Sequence, residues 1–205
     1  GVGIFLHCCG VPAIWSGRMD DEKKSKEELL SLWQKEGQPE LICACPSCYK
    51  TFQEHYPDVK VHFIGEFLQK EDAAVKDGRT LAIHDACSAR YEKELQQQVR
   101  GIATSCGNLV EELPMDGKNT TCCGYGGLMY HVAPHIMKDV IGERIAQSDL
   151  PYLTYCINCR DFFRRYGKDA VYWLDLFFGC EDEAYAKPGP NLSLRQENRI
   201  RLKND

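Results

Sequence analysis

The segment Tyr152-Leu153-Thr154-Tyr155-Cys156-Ile157-Asn158-Cys159 decides how this chain folds. Its first four residues read as a short, largely buried strand, and the pattern from Cys159 to Tyr166 is that of a helix starting at the C-x-x-C pair. Thiols at the carboxyl end of a strand and the start of a helix lie where parallel α/β folds build their sites. A helix N-terminus also favours thiolate over thiol, so the position suits anionic sulfur. The same device occurs once earlier: Leu41 to Ala44 reads as a strand, and Cys45-Pro46-Ser47-Cys48 opens a helix running to Tyr56.

Each C-x-x-C is preceded by adjacent cysteines followed by glycine, Cys8-Cys9-Gly10 and Cys122-Cys123-Gly124. Cys9 lies 36 positions before Cys45, and Cys123 lies 33 before Cys156. The second copy follows the first by 114 positions at the adjacent pair and by 111 at the C-x-x-C, a near-constant offset that marks an internal repeat. The second copy has one more member. Cys87, in His84-Asp85-Ala86-Cys87, lies 35 positions before Cys122, and its counterpart in the first copy would fall upstream of Gly1. The expectation is a chain that starts in the middle of a repeat, a piece of something longer.

Further strands are read at Gly3 to Leu6, Val59 to Phe63, Thr80 to Ile83, Leu109 to Glu112 and Ala170 to Leu174. Between them lie helical patterns. Ser25 to Glu36 opens on a Ser25/Glu28 capping box and sets Leu29, Leu32 and Trp33 on one face. Ala89 to Thr104 aligns Tyr91, Leu95, Val99 and Ile102. Pro134 suits a first helical turn, with Ile136, Met137, Val140, Ile141 and Ile145 following at helical spacing. Trp33 and Trp173 read as core. Strands alternating with helices predict an α/β fold, here two pseudo-repeated Rossmann-like units with short parallel sheets flanked by helices, the first unit incomplete. The expected organisation is a first repeat over 1–75, a second, complete repeat over 76–180 and a polar, extended or partly helical tail over 181–205. The boundary falls in the charged stretch Lys70 to Arg79, which holds Asp77-Gly78.

Composition narrows the function. The 205 residues are 43% hydrophobic and 27% charged, enough apolar surface for a real core. Mean hydropathy is −0.41 and no long uncharged apolar run occurs, which excludes a transmembrane helix. A net charge of −5 argues against nucleic acid as a partner. Twelve cysteines with no secretory pattern point to metal or redox chemistry, because a chain this long needs no disulfide staples. The expected location is the cytoplasm, with membrane association only through a partner.

Zinc takes four ligands in a tetrahedron, a geometry that adjacent cysteines serve poorly because neighbouring side chains on an extended chain point apart. The second copy offers five thiols, one more than zinc or an ordinary four-iron cubane uses. Gly124-Tyr125-Gly126-Gly127 permits close backbone approach to an anionic cluster, with amides free to donate to sulfur. A five-thiol iron–sulfur cluster is the sharper reading of this set. Cys43, Cys106 and Cys180 are read as small packed hydrophobes.

The pattern Cys87, Cys122-Cys123-Gly124, Cys156, Cys159 resembles the cysteine-rich CCG domain, which occurs twice in one of the subunits of heterodisulfide reductase and also in iron–sulfur subunits of anaerobic glycerol-3-phosphate dehydrogenase, glycolate oxidase and lactate-utilisation complexes. His84-Asp85-Ala86-Cys87 is similar to the family's H-D-P-C, with alanine in place of proline. The resemblance implies a non-cubane 4Fe–4S cluster held by Cys87, Cys122, Cys123, Cys156 and Cys159, with Gly124 at the cofactor. It implies a second metal set of Cys8, Cys9, Cys45 and Cys48. That set lacks its fifth ligand, and it could hold a different cluster, a zinc ion or nothing; zinc is also a candidate occupant of aerobically prepared protein. It implies redox work with other redox subunits or domains, flavin or ferredoxin-like, and a disulfide or a quinone as substrate. His84 is the catalytic candidate, as a proton donor or a hydrogen-bond donor to cluster sulfur, against a plain strand-end histidine bonded to backbone.

Other residues carry weaker readings. Asp85 is read mainly as the cap of a helix starting near Ser88, and otherwise as a residue orienting His84. His7 and His131 are read as solvated or core histidines before ligands. Tyr125 either shields the cluster or is an ordinary loop aromatic. Arg160, Arg164 and Arg165 read as a solvated helix face, and Arg195, Arg199, Arg201 and Lys203 as solvated or as a docking segment for an acidic partner. Two competing functions remain: a zinc-stabilised subunit-docking module, and a metal-free thiol–disulfide exchange enzyme, which would need neither the CCG nor twelve thiols.

Overall fold

The structure, a computed structural model, describes residues 2–74, 78–180 and 192–204, with the side chains of 192, 203 and 204 left aside. The described strands are β1 (Leu41–Cys43), β2 (Val61–Phe63), β3 (Thr80–His84), β4 (Leu109–Glu112), β5 (Tyr152–Thr154) and β6 (Ala170–Tyr172). The helices are α1 (Val11–Trp15), α2 (Met19–Lys35), α3 (Pro46–His55), α4 (Lys93–Ser105), α5 (Met129–Val132), α6 (Pro134–Ile145), α7 (Ile157–Arg165), α8 (Trp173–Phe178) and α9 (Leu192–Asn204). Among the described residues no helix is long and apolar enough to cross a membrane.

Both sheets are parallel, as the alternation of strands and helices predicts. One holds β4-β3-β5-β6 in that order, with Ala82 opposite Tyr152 and Tyr152 opposite Ala170; the other pairs β1 with β2, Leu41 opposite Val61. The central strands β3 and β5 are near-continuous runs of buried residues, which is what helices on both faces of a parallel sheet require. Strand order reverses between β3 and β5, since β4 follows β3 on one side and β5 returns on the other. A crevice opens at such a switch point, outside the strands' carboxyl ends. Here those ends carry His84 to Cys87 and Tyr155 to Cys159.

The repeat in sequence is a repeat in backbone. Cys45 caps α3 at φ −104°, ψ 123°, and Cys156 caps α7 at φ −112°, ψ 116°. Gly10 and Gly124, each after its cysteine pair, adopt φ +86° and +92°. Each C-x-x-C helix joins two parallel strands, β1 to β2 and β5 to β6. One apolar core, including Leu29, Trp33, Phe52 and Val59, lies beside the small sheet; a larger one lies on the four-stranded sheet. The halves meet where Phe63 stacks on Trp173 at 5.5 Å and where the Tyr172 hydroxyl donates to the Ala44 carbonyl at 3.1 Å.

Several expectations are corrected. Gly3 to Leu6 forms no strand. It corresponds in the repeat to residues 117–120, a turn and loop leading to a cysteine pair, and like them it joins neither sheet. The second helix starts at Met19, so Ser25 lies inside it and caps nothing; Asp20, Asp21 and Glu22 in the first turn suit the positive end of the helix dipole and carry the start upstream. Leu29 and Trp33 are buried on the face foreseen. Tyr91 precedes α4 and is exposed, while Leu95, Val99 and Ile102 are buried. The last strand stops at Tyr172 and Trp173 opens α8. Arg160 is not on a solvated face: it is buried beside Asp161, 3.0 Å away, and Arg195 of α9 reaches the same carboxylate. Asp77 of the foreseen boundary and the tail over 181–191 lie outside the described residues, as does the Lys203 side chain.

Candidate metal centre

Three segments carry the second set of thiols to one place. β3 ends at His84, and a short 3-10 turn, Cys87–Ala89, follows. The Cys122-Cys123 pair arrives on the loop before α5, and its backbone closes on itself: the Gly124 N–H donates to Cys122 Sγ at 3.2 Å. Cys156 caps α7 and Cys159 lies in its first turn. Gly124 is required twice over. Its φ of +92° disfavours any Cβ, and an added Cβ would sit 3.3 Å from Met137 Cγ, the Met137 carbonyl oxygen and Phe162 Cε1. Gly124→Ala should therefore cost about 1–2 kcal/mol in backbone strain alone, read as a shift of the urea midpoint at unchanged slope.

Cys87, Cys122, Cys123, Cys156 and Cys159 all line one cavity of about 370 Å³. That is at the small end of the ~300–1,000 Å³ typical of ligand and cofactor pockets. The opposite wall comes from the first half of the chain: Val11, Ile14 and Trp15 of α1, and Ser47, Lys50 and Thr51 of α3. A ring nitrogen of His84 and the Sγ atoms of Cys123 and Cys159 lie within 4.8 Å of one another, all three residues buried.

The first-set thiols continue the same line. Side-chain interactions between neighbouring thiols run from Cys8 to Cys9, to Cys48, to Cys45, then across to Cys156, Cys159, Cys123, Cys122 and Cys87. All nine candidate ligands form one seam, joined between the halves by Cys45 and Cys156. Cys8 is its exposed end.

The seam is electrostatically divided. The bond from Cys48, with that from Cys8, pulls Cys9 down to about 3; the bond from Cys156 does the same for Cys45, to about 3; and that from Cys123 takes Cys122 to about 2. Their donors show the complement. Cys48 is pushed up by its bond to Cys45, Cys87 and Cys123 by theirs to Cys122, and Cys159 by its bond to Cys123, burial adding to each. Cys156 is pulled down by Cys159, but its bond to Cys45 and burial push it up to about 12. Nine thiols this close cannot all ionise against mutual repulsion without cations among them. Thiophilic metal supplies that charge and deprotonates coordinating thiols outright.

Behind the cavity, Asp85 is fully buried and is not a helix cap. Its carboxylate takes Arg100 Nη1 at 3.0 Å and Nη2 at 2.8 Å, the Gly117 N–H at 2.8 Å and the Tyr155 hydroxyl at 3.1 Å. Burial alone would raise its pKa, but these partners hold it below the ordinary carboxylate range. Its own carbonyl accepts from Thr120 Oγ1 at 2.7 Å, so the strand end and the loop delivering Cys122 are tied together.

Cys43 and Cys106 are packed in the cores as foreseen, but Cys180 is exposed after α8. Tyr125 lines the cavity edge-on to Phe162 at 5.8 Å, and His131 is exposed on α5. The sequence reading missed α1, whose apolar residues wall the cavity, and missed Arg144, which reaches His84. The Pro12 at the start of Val11–Trp15 was the available signal for the first; nothing local signals the second.

The donor set fits a metal cluster on structural grounds: soft thiols in excess of four, a cavity bounded by five of them, and a buried His84 Nε2 without a hydrogen-bond partner among the described residues. Comparison with known proteins agrees. The chain is 24% identical over 176 residues to a protein named lactate utilization protein A from Macrococcus caseolyticus (strain JCSC5402), an alignment covering 71% of this chain and 67% of that protein. Residues 5–53 and 81–161 match the cysteine-rich domain designated CCG, and these two blocks contain all nine thiols of the seam. With more than half its length matched and both thiol sets inside the match, the chain belongs to the cysteine-rich CCG domain family, a redox-related module of the metal- or iron–sulfur-binding kind.

Proposed function

We propose that the chain is an iron–sulfur electron-transfer module similar to the CCG-bearing component of heterodisulfide reductase, with a non-cubane 4Fe–4S cluster held by Cys87, Cys122, Cys123, Cys156 and Cys159. The observation that carries this is the single cavity lined by all five thiols and by no thiol of the first set. Bound there, the cluster supplies one-electron redox chemistry and an iron site for a sulfur ligand. The chain's residues do the rest. Val11, Ile14 and Trp15 give the cavity an apolar wall that limits water. The positive φ of Gly124 lets the backbone amide face sulfur. The Cys45–Cys156 contact leads from the cavity to the first set, so a metal at Cys8, Cys9, Cys45 and Cys48 would lie on a short electron path. The partners we assign are a flavin or ferredoxin-like redox protein as one electron carrier, and a disulfide or quinone as the other.

The test is iron, zinc and acid-labile sulfide per chain after strictly anaerobic purification. Iron and sulfide near four each per complete motif support the reading. Stoichiometric zinc without sulfide, persisting when iron is supplied during anaerobic expression, makes the chain a zinc-stabilised docking module instead.

A further inference from the structure

We propose that Arg144 is a positioning residue that fixes the tautomer of His84, so that His84 donates a hydrogen bond to sulfur at the Cys123–Cys159 corner and does not ligate metal. The inference deepens the iron–sulfur reading. It rests on that reading only for the identity of the acceptor as cluster sulfur.

Arg144 comes from α6 and is buried, 1% exposed. Its guanidinium is clamped on two sides: Nε donates to His84 Nδ1 at 3.0 Å, and Nη1 donates to the Met115 carbonyl and to Gln147 Oε1, both at 2.6 Å. The Tyr152 hydroxyl donates to the Arg144 carbonyl at 2.6 Å and holds the end of the helix. A guanidinium has no lone pair to offer, so His84 Nδ1 must be the acceptor. A neutral imidazole that accepts at Nδ1 carries its proton at Nε2. This is the reverse of a metal-ligating histidine, whose second ring nitrogen donates to a carboxylate, carbonyl or water and leaves the first a free lone pair.

The Nε2–H then needs an acceptor. It is buried and has no partner among the described residues. The ring cannot swing away, because it packs edge-on against Phe163 at 4.8 Å and 86°. A nitrogen of this ring lies within 4.8 Å of the Cys123 and Cys159 sulfurs, and with Nδ1 taken by Arg144, Nε2 is the one left to face an acceptor there. A buried donor left unmet costs about 1–3 kcal/mol, and negatively charged sulfur at this corner removes that cost. An N–H on cluster sulfur, with the Arg144 charge one ring behind it, favours the reduced state and raises the reduction potential.

The test has two arms. In metal-free protein kept reduced, with 15N-labelled histidine, long-range 1H–15N correlation reads the His84 tautomer directly, assigned by its absence in His84→Asn. The Nε2–H form is expected in the wild type, and loss of that bias in Arg144→Met. An Nδ1–H tautomer in the wild type overturns the proposal, even if Arg144→Met fails to fold. In anaerobically purified protein with its cluster, pulsed electron paramagnetic resonance should show weak 15N-histidine coupling and an exchangeable proton lost in D2O. Arg144→Met, with full iron and sulfide, should have a lower midpoint potential than the wild type, while Arg164→Met should not. Ligand-strength nitrogen coupling, or an unchanged potential in Arg144→Met, overturns the proposal. If no sample holds iron and sulfide, the functional reading fails and the tautomer arm still decides the role of Arg144.

Discussion

Cys123→Ser should leave the fold in place and lose the bound iron and sulfide of the second motif. Cys123 is 2% exposed and touches both Cys122 and Cys159, so it is the middle of the thiol set on the cavity wall. Serine nearly conserves the shape but replaces a soft thiolate by a hydroxyl, a poor partner for thiophilic metal. Residues that merely orient ligands already cost ~10–100-fold in metal affinity when removed, and a ligand itself should cost no less. Cys106→Ser is the control. Cys106 is equally buried, but it caps α4 in the core away from the seam. It should cost about 1–3 kcal/mol by burying a hydroxyl while iron and sulfide per folded chain stay at the wild-type level. Metal analysis beside thermal melting separates the two; retention of iron in Cys123→Ser together with its loss in Cys106→Ser would contradict the assignment.

The second large effect falls on a residue that touches no thiol. Asp85→Ala should destabilise the fold by about 3 kcal/mol, the lower end of the range for removing one partner of a buried ion pair. The lower end applies because Arg100 is not orphaned: Nε and Nη2 still reach Glu112 at 2.7 and 2.6 Å. The loss comes from the Tyr155 hydroxyl and the Gly117 N–H, for which the described residues show no other acceptor, and from the slackened loop to Cys122. Glu112→Ala removes the outer carboxylate of the same arginine, 47% exposed, and should cost only about 0–1 kcal/mol. Urea unfolding measures both. Equal costs would mean that Asp85 is not the keystone of this network.

Much of this was legible in the sequence because it depends on short periods and fixed spacings. Buried runs such as Leu81-Ala82-Ile83 and Tyr152-Leu153 announce central parallel strands, and the offset of the cysteine devices announces the repeat. What escaped depends on partners distant in sequence. Asp85 looked like a cap because Arg100 and Tyr155 are 15 and 70 positions away. Arg160 looked solvated, but it is buried beside Asp161, whose other partner, Arg195 of α9, lies 34 positions away. Gly3 to Leu6 has the composition of a strand, but its place in the repeat is that of the loop over residues 117–120, which delivers a cysteine pair. The thiol spacing picks out the five thiols that line one cavity but not the joining of the two sets through Cys45 and Cys156, nor the reach of Arg144 across 60 positions to His84.

The most direct test of the central claim is anomalous diffraction at the iron and zinc edges from crystals grown anaerobically. The account predicts iron inside the cavity bounded by Cys87, Cys122, Cys123, Cys156 and Cys159, with His84 outside the coordination sphere. Zinc on four of these thiols, or iron placed elsewhere with the cavity vacant, would contradict it.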